Sequence, residues 1–522
     1  MKRIATGTSS FEKLINGNFI YIDKTKIIYD LITGETLYFL SRPRRFGKTL
    51  LISTLKELFE GNRELFKGLW IDSSDYTWEP HPVISLNFSS FMSNSPEDLK
   101  KGVALLLDAK AESLGIDLSR NADPEGKLHI LLLQLSKKKK VVILIDEYDY
   151  PIISNLDNPT VMKENLKVLD GFFTAIKSFE EYLRALFITG VSPLPKTSTY
   201  SGMSILNNLS LDPLAATLLG YTKEEIDFYF SEHSKKLADL KKTSLLEIEN
   251  AIQEWYNGYK FSKLGKKVYN PFSVHYLFTK NEFANYWFNV ATPKFLLYVL
   301  KKNNYNLQTL EVEPFLTQSL TSLDFEKPEL APVLFQTGYL TLSSFNEKNN
   351  TYTLAYPNRE VKESYTISLM SSFTLLGEST LNNLIDPLRN ALFNNDMQEL
   401  CALLKIIFAQ IPHQIGEHHE KFYHALVQSF LVLLGFESKA EISTNRGRID
   451  LVVYTKKFTY IIEFKVKTVA ETALKQIEDK AYYEGYLSSP KMEKQSTIVL
   501  VGLTFSKING EPTISCEHKV LS

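Results

Sequence analysis

Tyr38-Phe39-Leu40-Ser41-Arg42-Pro43-Arg44-Arg45-Phe46-Gly47-Lys48-Thr49 passes from an apolar run into a loop holding three arginines, then into a Gly-Lys-Thr triplet. The stretch reads as strand, loop, helix, because Thr49 to Phe59 has the apolar spacing of a helix. Gly47 lets backbone approach a phosphate closely. Lys48 is placed to reach the β- and γ-phosphates, and the Thr49 hydroxyl to ligate Mg²⁺. The helix N-terminus adds a partial positive charge. These residues read as the second half of a Walker A loop, with ATP and Mg²⁺ as cofactors. Arg42 stands where G-x-x-x-x-G-K-[ST] has its first glycine. Arg42, Arg44 and Arg45 are therefore expected at the phosphates, where a guanidinium fork forms charge-assisted bonds. The alternative is that they pair with acidic residues such as Asp23 and brace the fold.

Outward from this loop, strands and helices alternate. Val83 to Phe88, Val141 to Ile145 and Ala185 to Thr189 are apolar runs separated by helical segments. Continuous apolar strands of this kind imply a parallel sheet covered on both faces. Val141 to Ile145 leads into Asp146-Glu147, the form of a Walker B strand. Asp146 is expected to hold Mg²⁺ through water and Glu147 to orient the attacking water. Thr189, ending the later strand, is placed to sense the γ-phosphate. The fold class expected is α/β: a P-loop NTPase parallel sheet over 1–205, a mainly helical middle region over 206–400 and a second α/β domain over 401–522. Within the middle region, Thr222 and Glu225 have the spacing of a capping box, so a helix is expected to start there.

The bulk properties agree with several domains. The chain has 522 residues, 44% hydrophobic and 23% charged, with a net charge of −1. That balance suits a globular protein and excludes a uniformly basic nucleic-acid binder, although a local patch still serves for binding DNA. No run approaches the ~20 apolar residues of a membrane helix, and there is no signal-peptide pattern. No membrane association and a cytoplasmic location are the expectation, with an effector secreted without a cleaved signal as the alternative. Cys401 and Cys516 stand far apart in sequence and argue against a disulfide framework.

The second chemical centre is near the C-terminus. Gly447-Arg448-Ile449-Asp450-Leu451-Val452-Val453-Tyr454 and Tyr460-Ile461-Ile462-Glu463-Phe464-Lys465-Val466 read as two strands joined by a short polar turn. A turn centred on Lys456-Lys457 sets Asp450 opposite Glu463, with Cβ atoms ~5 Å apart. Lys465 lies two residues on, hence on the same face. Opposed carboxylates destabilise a sheet unless a cation lies between them, and Mg²⁺ or Mn²⁺ prefers such oxygens. Asp450 and Glu463 are the expected metal ligands, and Lys465 is expected to position or deprotonate the attacking water. Glu420, on a helix expected from Glu417 to Leu434, and Gln476, in Ala473 to Ile477, are further candidates for the same centre. His419-Glu420-Lys421-Phe422-Tyr423-His424 has one residue too many for H-E-x-x-H, so its histidines do not share a helix face.

These motifs resemble the family of AAA-ATPase-like proteins fused to a PD-(D/E)XK nuclease domain. The resemblance rests on Tyr21-Ile22-Asp23-Lys24-Thr25, Arg42 to Thr49, Trp255 to Phe261, Tyr269-Asn270-Pro271-Phe272-Ser273, Gly447 to Asp450, Glu463-Phe464-Lys465 and Ala473 to Ile477. It implies that the absent first glycine is a family trait, and that the C-terminal domain has a restriction-endonuclease-like fold. The function expected is an ATP-controlled, metal-dependent nuclease acting on DNA. The rival is a signalling-type ATPase, or an effector, whose C-terminal domain binds nucleic acid without cutting it.

Overall fold

A computed structural model describes residues 2–119, 123–195, 206–287, 314–325, 329–373, 376–410, 427, 431, 434 and 436–521, apart from 445, 467, 488–495 and 509–510. The chain divides into two compact units, one of residues 1–304 and 311–360, the other of 305–310 and 361–522. The middle of the chain is thus shared: its part before 361 packs mostly with the first unit, and its part after with the second.

The first unit is built on a five-stranded sheet of β1 (Leu37–Ser41), β2 (Val83–Asn87), β3 (Val141–Asp146), β4 (Leu183–Gly190) and β5 (Asn207–Asn208). The strand order is β2-β3-β4-β1-β5 and every pairing is parallel. All five residues of β1 and all six of β3 are buried, as expected of strands covered on both faces. Parallel register aligns the strand ends: Leu40 pairs with Thr189, Ser41 with Gly190, and Asn87 with Asp146. The loops that leave these ends share one edge of the sheet, where open α/β sheets bind ligands. The helix α1 (Lys48–Phe59) begins there.

Beyond the sheet the first unit is mainly helical. The helix Lys223–Tyr229 carries the expected capping box, with reciprocal bonds between Thr222 and Glu225. It packs with the helices Ser231–Lys241, Leu245–Tyr256 and α2 (Pro271–Lys280) around Phe230, Leu237, Ile252, Val274 and Leu277. Ile20 and Ile22 of the N-terminal segment join this cluster. A short antiparallel hairpin, Thr341–Asn346 with Thr351–Ala355, interrupts the helical region. The helix α3 (Arg359–Phe373) starts at the end of this unit.

The second unit holds a mixed sheet of β6 (Glu437–Thr444), β7 (Gly447–Tyr454), β8 (Phe458–Val466), β9 (Thr497–Ile508) and β10 (Glu511–Leu521), paired in that order. Only β8 and β9 run parallel, and α5 (Ala470–Asp479) lies between them in the chain. One sheet face, with Leu451, Val453, Tyr460, Ile462 and Phe464, packs on α4 (Met397–Phe408) and its neighbours. Val452, Ile461 and Ile477 form a second, smaller core. Cys401 on α4 and Cys516 on β10, distant in sequence, meet across the larger core. Among the described residues no helix is long and apolar enough to cross a membrane.

Candidate functional sites

The loop between β1 and α1 turns through two left-handed residues, Arg45 (φ 67°) and Gly47 (φ 97°). Gly47 takes that conformation without the Cβ penalty and starts α1 immediately after the turn. The Lys48 ammonium curls back over its own loop, donating to the carbonyls of Arg42 (2.8 Å) and Pro43 (3.0 Å). Burial pushes its pKa down, while Asp146, Glu147 and Asp149 oppose that shift. The Thr49 hydroxyl donates to Asp146 Oδ2 at 2.7 Å, and the Thr189 hydroxyl to Asp146 Oδ1 at 2.5 Å. The start of α1 and the end of β4 therefore converge on one buried carboxylate at the end of β3. Glu147 adopts a left-handed backbone (φ 53°) directly after it.

The loop lines a cavity of about 530 Å³, within the size range of small-molecule sites. Lys48, Thr49, Arg44, Arg45 and Glu147 supply its polar end, and Tyr21, Tyr221, Phe272 and His275 are among its walls. His275 bonds the Ala5 carbonyl through Nδ1 (3.0 Å) and the Tyr221 hydroxyl through Nε2 (2.9 Å). A carbonyl only accepts, so Nδ1 carries the proton and Nε2 accepts from Tyr221. Burial pushes this imidazole down to about 4, which keeps it neutral. It ties the N-terminal segment to α2.

Arg42 has a different place from the one its position in the loop predicts. Its guanidinium is buried, donating to the carbonyls of Ser41 (2.9 Å), Ser210 (2.8 Å) and Ala215 (2.9 Å), and it stacks 4.2 Å from the Phe261 ring. With no carboxylate among these partners, burial pushes its pKa down to about 9. Its two terminal nitrogens brace the chain behind the loop, so Arg42 sits there and not at the expected phosphate contact. Arg44 and Arg45 differ: both border the cavity, and Arg45 lies 5.3 Å from the Phe272 ring. Asp23, the acidic partner considered for these arginines, instead accepts from Thr25 and from the Trp70 amide.

Asp149 is a residue the motif reading misses. Its buried carboxylate accepts from the Val191 amide (3.0 Å) and from both the amide and the hydroxyl of Ser192 (2.5 Å each). Tyr148 adds a bond to the Pro193 carbonyl at 2.7 Å. These two residues fasten the chain after β4 to the turn after β3. The signal lay in the fourth position of Asp146-Glu147-Tyr148-Asp149, but its partners are distant in sequence.

In the second unit, β7 and β8 pair with Leu451 opposite Ile462 and Val453 opposite Tyr460, the register expected from a turn at Lys456-Lys457. The next positions are Asp450 and Glu463. Both are buried, 8% and 1% exposed, and their carboxyl groups are close enough to influence each other's ionisation. Asp450 also accepts from the Phe464 amide at 2.8 Å. Burial raises its pKa, against the amide bond and the charges of Lys465 and Arg448. The Lys465 ammonium sits 3.0 Å from Glu463 Oε1, and Gln476 of α5 donates to the same oxygen. Gly502 stands beside Glu463 on β9. A Cβ there would meet the Ala470 carbonyl at 2.4 Å and the Leu474 amide at 2.6 Å, so glycine lets α5 approach the sheet and deliver Gln476. Glu420 lies outside the described residues, as does most of the helix expected around it. Among the described residues no cluster of three or more metal-binding side chains occurs.

Two neighbouring buried carboxyl groups favour a shared proton, because two like charges so placed repel each other. A divalent cation relieves the same repulsion. The donor set of Asp450 and Glu463 is of hard oxygens, which suits Mg²⁺ or Mn²⁺ held by one or two carboxylates with water completing the shell. Asp146 with Thr49 makes an equivalent hard-oxygen pair at the edge of the first cavity.

A parallel α/β unit with a Gly-Lys-Thr loop, followed by a mixed sheet carrying two opposed carboxylates and a lysine, defines an ATPase-like protein joined to a nuclease-type domain. Residues 5–200 match the family described as predicted AAA-ATPase, and residues 418–510 match the PD-(D/E)XK nuclease superfamily. Over 521 residues the chain is 34% identical to a protein of Azotobacter chroococcum mcd 1 named "Uncharacterized protein in vnfD 5'region", with 97% of each chain covered. The chain belongs to the family in which an AAA-ATPase-like domain is fused to a PD-(D/E)XK nuclease superfamily domain.

Proposed function

We propose that this protein is a nucleotide-controlled nuclease: the first unit binds ATP with Mg²⁺, and the second cleaves DNA phosphodiester bonds with Mg²⁺ or Mn²⁺. The observation that carries the reading is the buried contact between Asp450 and Glu463, with Lys465 and Gln476 on the same oxygen of Glu463. Asp450 and Glu463 would hold the cation, which supplies Lewis-acid activation of water and neutralises charge on the phosphate. Lys465 releases Glu463 and turns its ammonium to the attacking water or to the charge developing on phosphorus-bound oxygen. Gln476 keeps Glu463 oriented. Glu420 is assigned a third carboxylate role at this centre.

In the first unit, Lys48 would exchange its two loop carbonyls for the β- and γ-phosphates, as in a Walker A loop. Thr49 and Asp146 would hold Mg²⁺, with Asp146 in the Walker B position. Glu147 would orient water, and Thr189 would report the γ-phosphate through Asp146. Arg44 and Arg45 would supply the guanidinium contacts. The test is a cleavage assay on single- and double-stranded DNA and RNA, with Mg²⁺ or Mn²⁺, with and without ATP. Metal-dependent cutting of DNA that changes with ATP supports the reading. Binding of DNA without cutting under every condition would favour a signalling-type ATPase with a binding domain.

A further inference from the structure

The only two cysteines of the chain, Cys401 and Cys516, meet inside the second unit. Cys401 lies on α4 and Cys516 on β10, the edge strand at the end of the sheet. Cys401 Sγ lies 3.7 Å from the carbonyl of Ile514, two residues before Cys516, and the two thiols are near enough to shift each other's ionisation. Both side chains pack against the core that α4 shares with the sheet, and both remain partly exposed. Chance packing of two small apolar side chains explains a buried cysteine. It does not explain why the two cysteines of a long chain meet in a position open to solvent.

We propose that Cys401 and Cys516 form a redox-modification site, a dithiol that a hydroperoxide converts to an intramolecular disulfide. The Cys401 sulfur attacks the outer oxygen of the hydroperoxide; the O–O bond breaks, an alcohol or water leaves, and Cys401 becomes a sulfenic acid. The Cys516 sulfur then attacks the Cys401 sulfur. The S–S bond forms, the S–O bond breaks, and water leaves with the Cys516 proton. The two sulfurs together lose two electrons, and the peroxide gains them. Cys401 is the first nucleophile because the neighbouring Cys516 and the positive charge of Lys405 bring its pKa down to about 7. The same contact raises the pKa of Cys516.

The link has a defined structural effect. Cys516 pairs with Leu503, which pairs with Phe464, so it lies on the strand row of the amide that holds Asp450. A disulfide there clasps the edge strand to α4 and closes the long loop between residues 401 and 516. This inference stands independently of the proposed cleavage activity.

The experiment treats the reduced full-length protein with hydrogen peroxide at stoichiometric excess, then measures free thiols, intact mass, non-reducing peptide maps and Tm. The expected result is loss of both thiols, a mass lower by two hydrogens, a peptide pair linking Cys401 to Cys516, and full reversal by dithiothreitol. The Tm of the second unit should rise by roughly 5 °C or more, the effect of closing a long loop. In Cys516→Ser, dimedone should trap a sulfenic acid at Cys401. Retention of both thiols, oxygen added to each sulfur separately, or a disulfide only between two copies of the chain would overturn the proposal. The parent protein alone decides between these outcomes, so the conclusion does not depend on either variant folding.

Discussion

Glu360→Gln should abolish a specific pH dependence of stability in the first unit. Glu360 is fully buried; one oxygen accepts from the Trp287 amide and the other from the Ser273 hydroxyl, each at 2.7 Å. No cation neutralises it in these contacts, and burial pushes its carboxyl from 4.5 up to about 8. Between those values the folded chain keeps a proton that the unfolded chain releases. The stabilisation is complete below the lower value and is lost as pH rises through the higher one. The whole window corresponds to roughly 4–5 kcal/mol, of which about 2 kcal/mol falls between pH 6.5 and 8. That upper part is free of His275, whose depressed value acts in the opposite sense only below its ordinary 6.5. Glutamine imitates the protonated acid, since its carbonyl accepts from Trp287 and its amide group donates to Ser273. Trp287 Nε1 donates to the Arg44 carbonyl at 3.0 Å, so its fluorescence also reports on the loop. Urea unfolding followed by tryptophan fluorescence from pH 6.5 to 9 gives the comparison. The parent should lose about 2 kcal/mol relative to Glu360→Gln across this range. Parallel pH profiles for the two proteins would refute the assignment of a proton to Glu360.

Lys48→Ala should weaken ATP binding at least ~100-fold by calorimetry while the second unit keeps its melting transition, because losing a charge-assisted phosphate contact is costly and the two cores are separate. Arg44→Lys and Arg45→Lys should each weaken ATP binding, since charge is kept and the fork is lost; unchanged affinity in both would leave these residues no phosphate role. Arg42→Ala should instead lower folding stability of the first unit by about 3 kcal/mol or more, as three buried carbonyls lose a charged donor. Thr189→Val should leave ATP affinity within a few-fold and slow hydrolysis, measured as phosphate release, because only the bond to Asp146 is removed.

The elements readable from the sequence are those set by local chemistry. The turn after β1 follows from Gly47, the helix at Lys223 from the Thr222–Glu225 box, and the pairing of β7 with β8 from a short turn between two apolar strands. What stayed hidden depends on partners far along the chain. Arg42 occupies a motif position, yet its guanidinium finds Ser210 and Ala215. Tyr221, Phe272 and His275 reach the cavity only because the helical segment folds back on the N-terminal segment. Gly502 carries no motif, and its purpose appears only beside Ala470 and Leu474. The meeting of Cys401 with Cys516 has the same origin, since no spacing rule joins a helix to an edge strand.

Asp450 and Glu463 are proposed to form a metal-dependent phosphodiester-cleaving centre. The most direct measurement is the initial rate of DNA cleavage in Mg²⁺ or Mn²⁺ by the parent and by Asp450→Asn, with circular dichroism confirming that the variant is folded. The parent should cleave DNA and lose that activity on chelation, and the variant should cleave at least ~100-fold more slowly. Equal rates in the two proteins, or no cleavage by the parent with either metal in the presence and absence of ATP, would contradict that assignment.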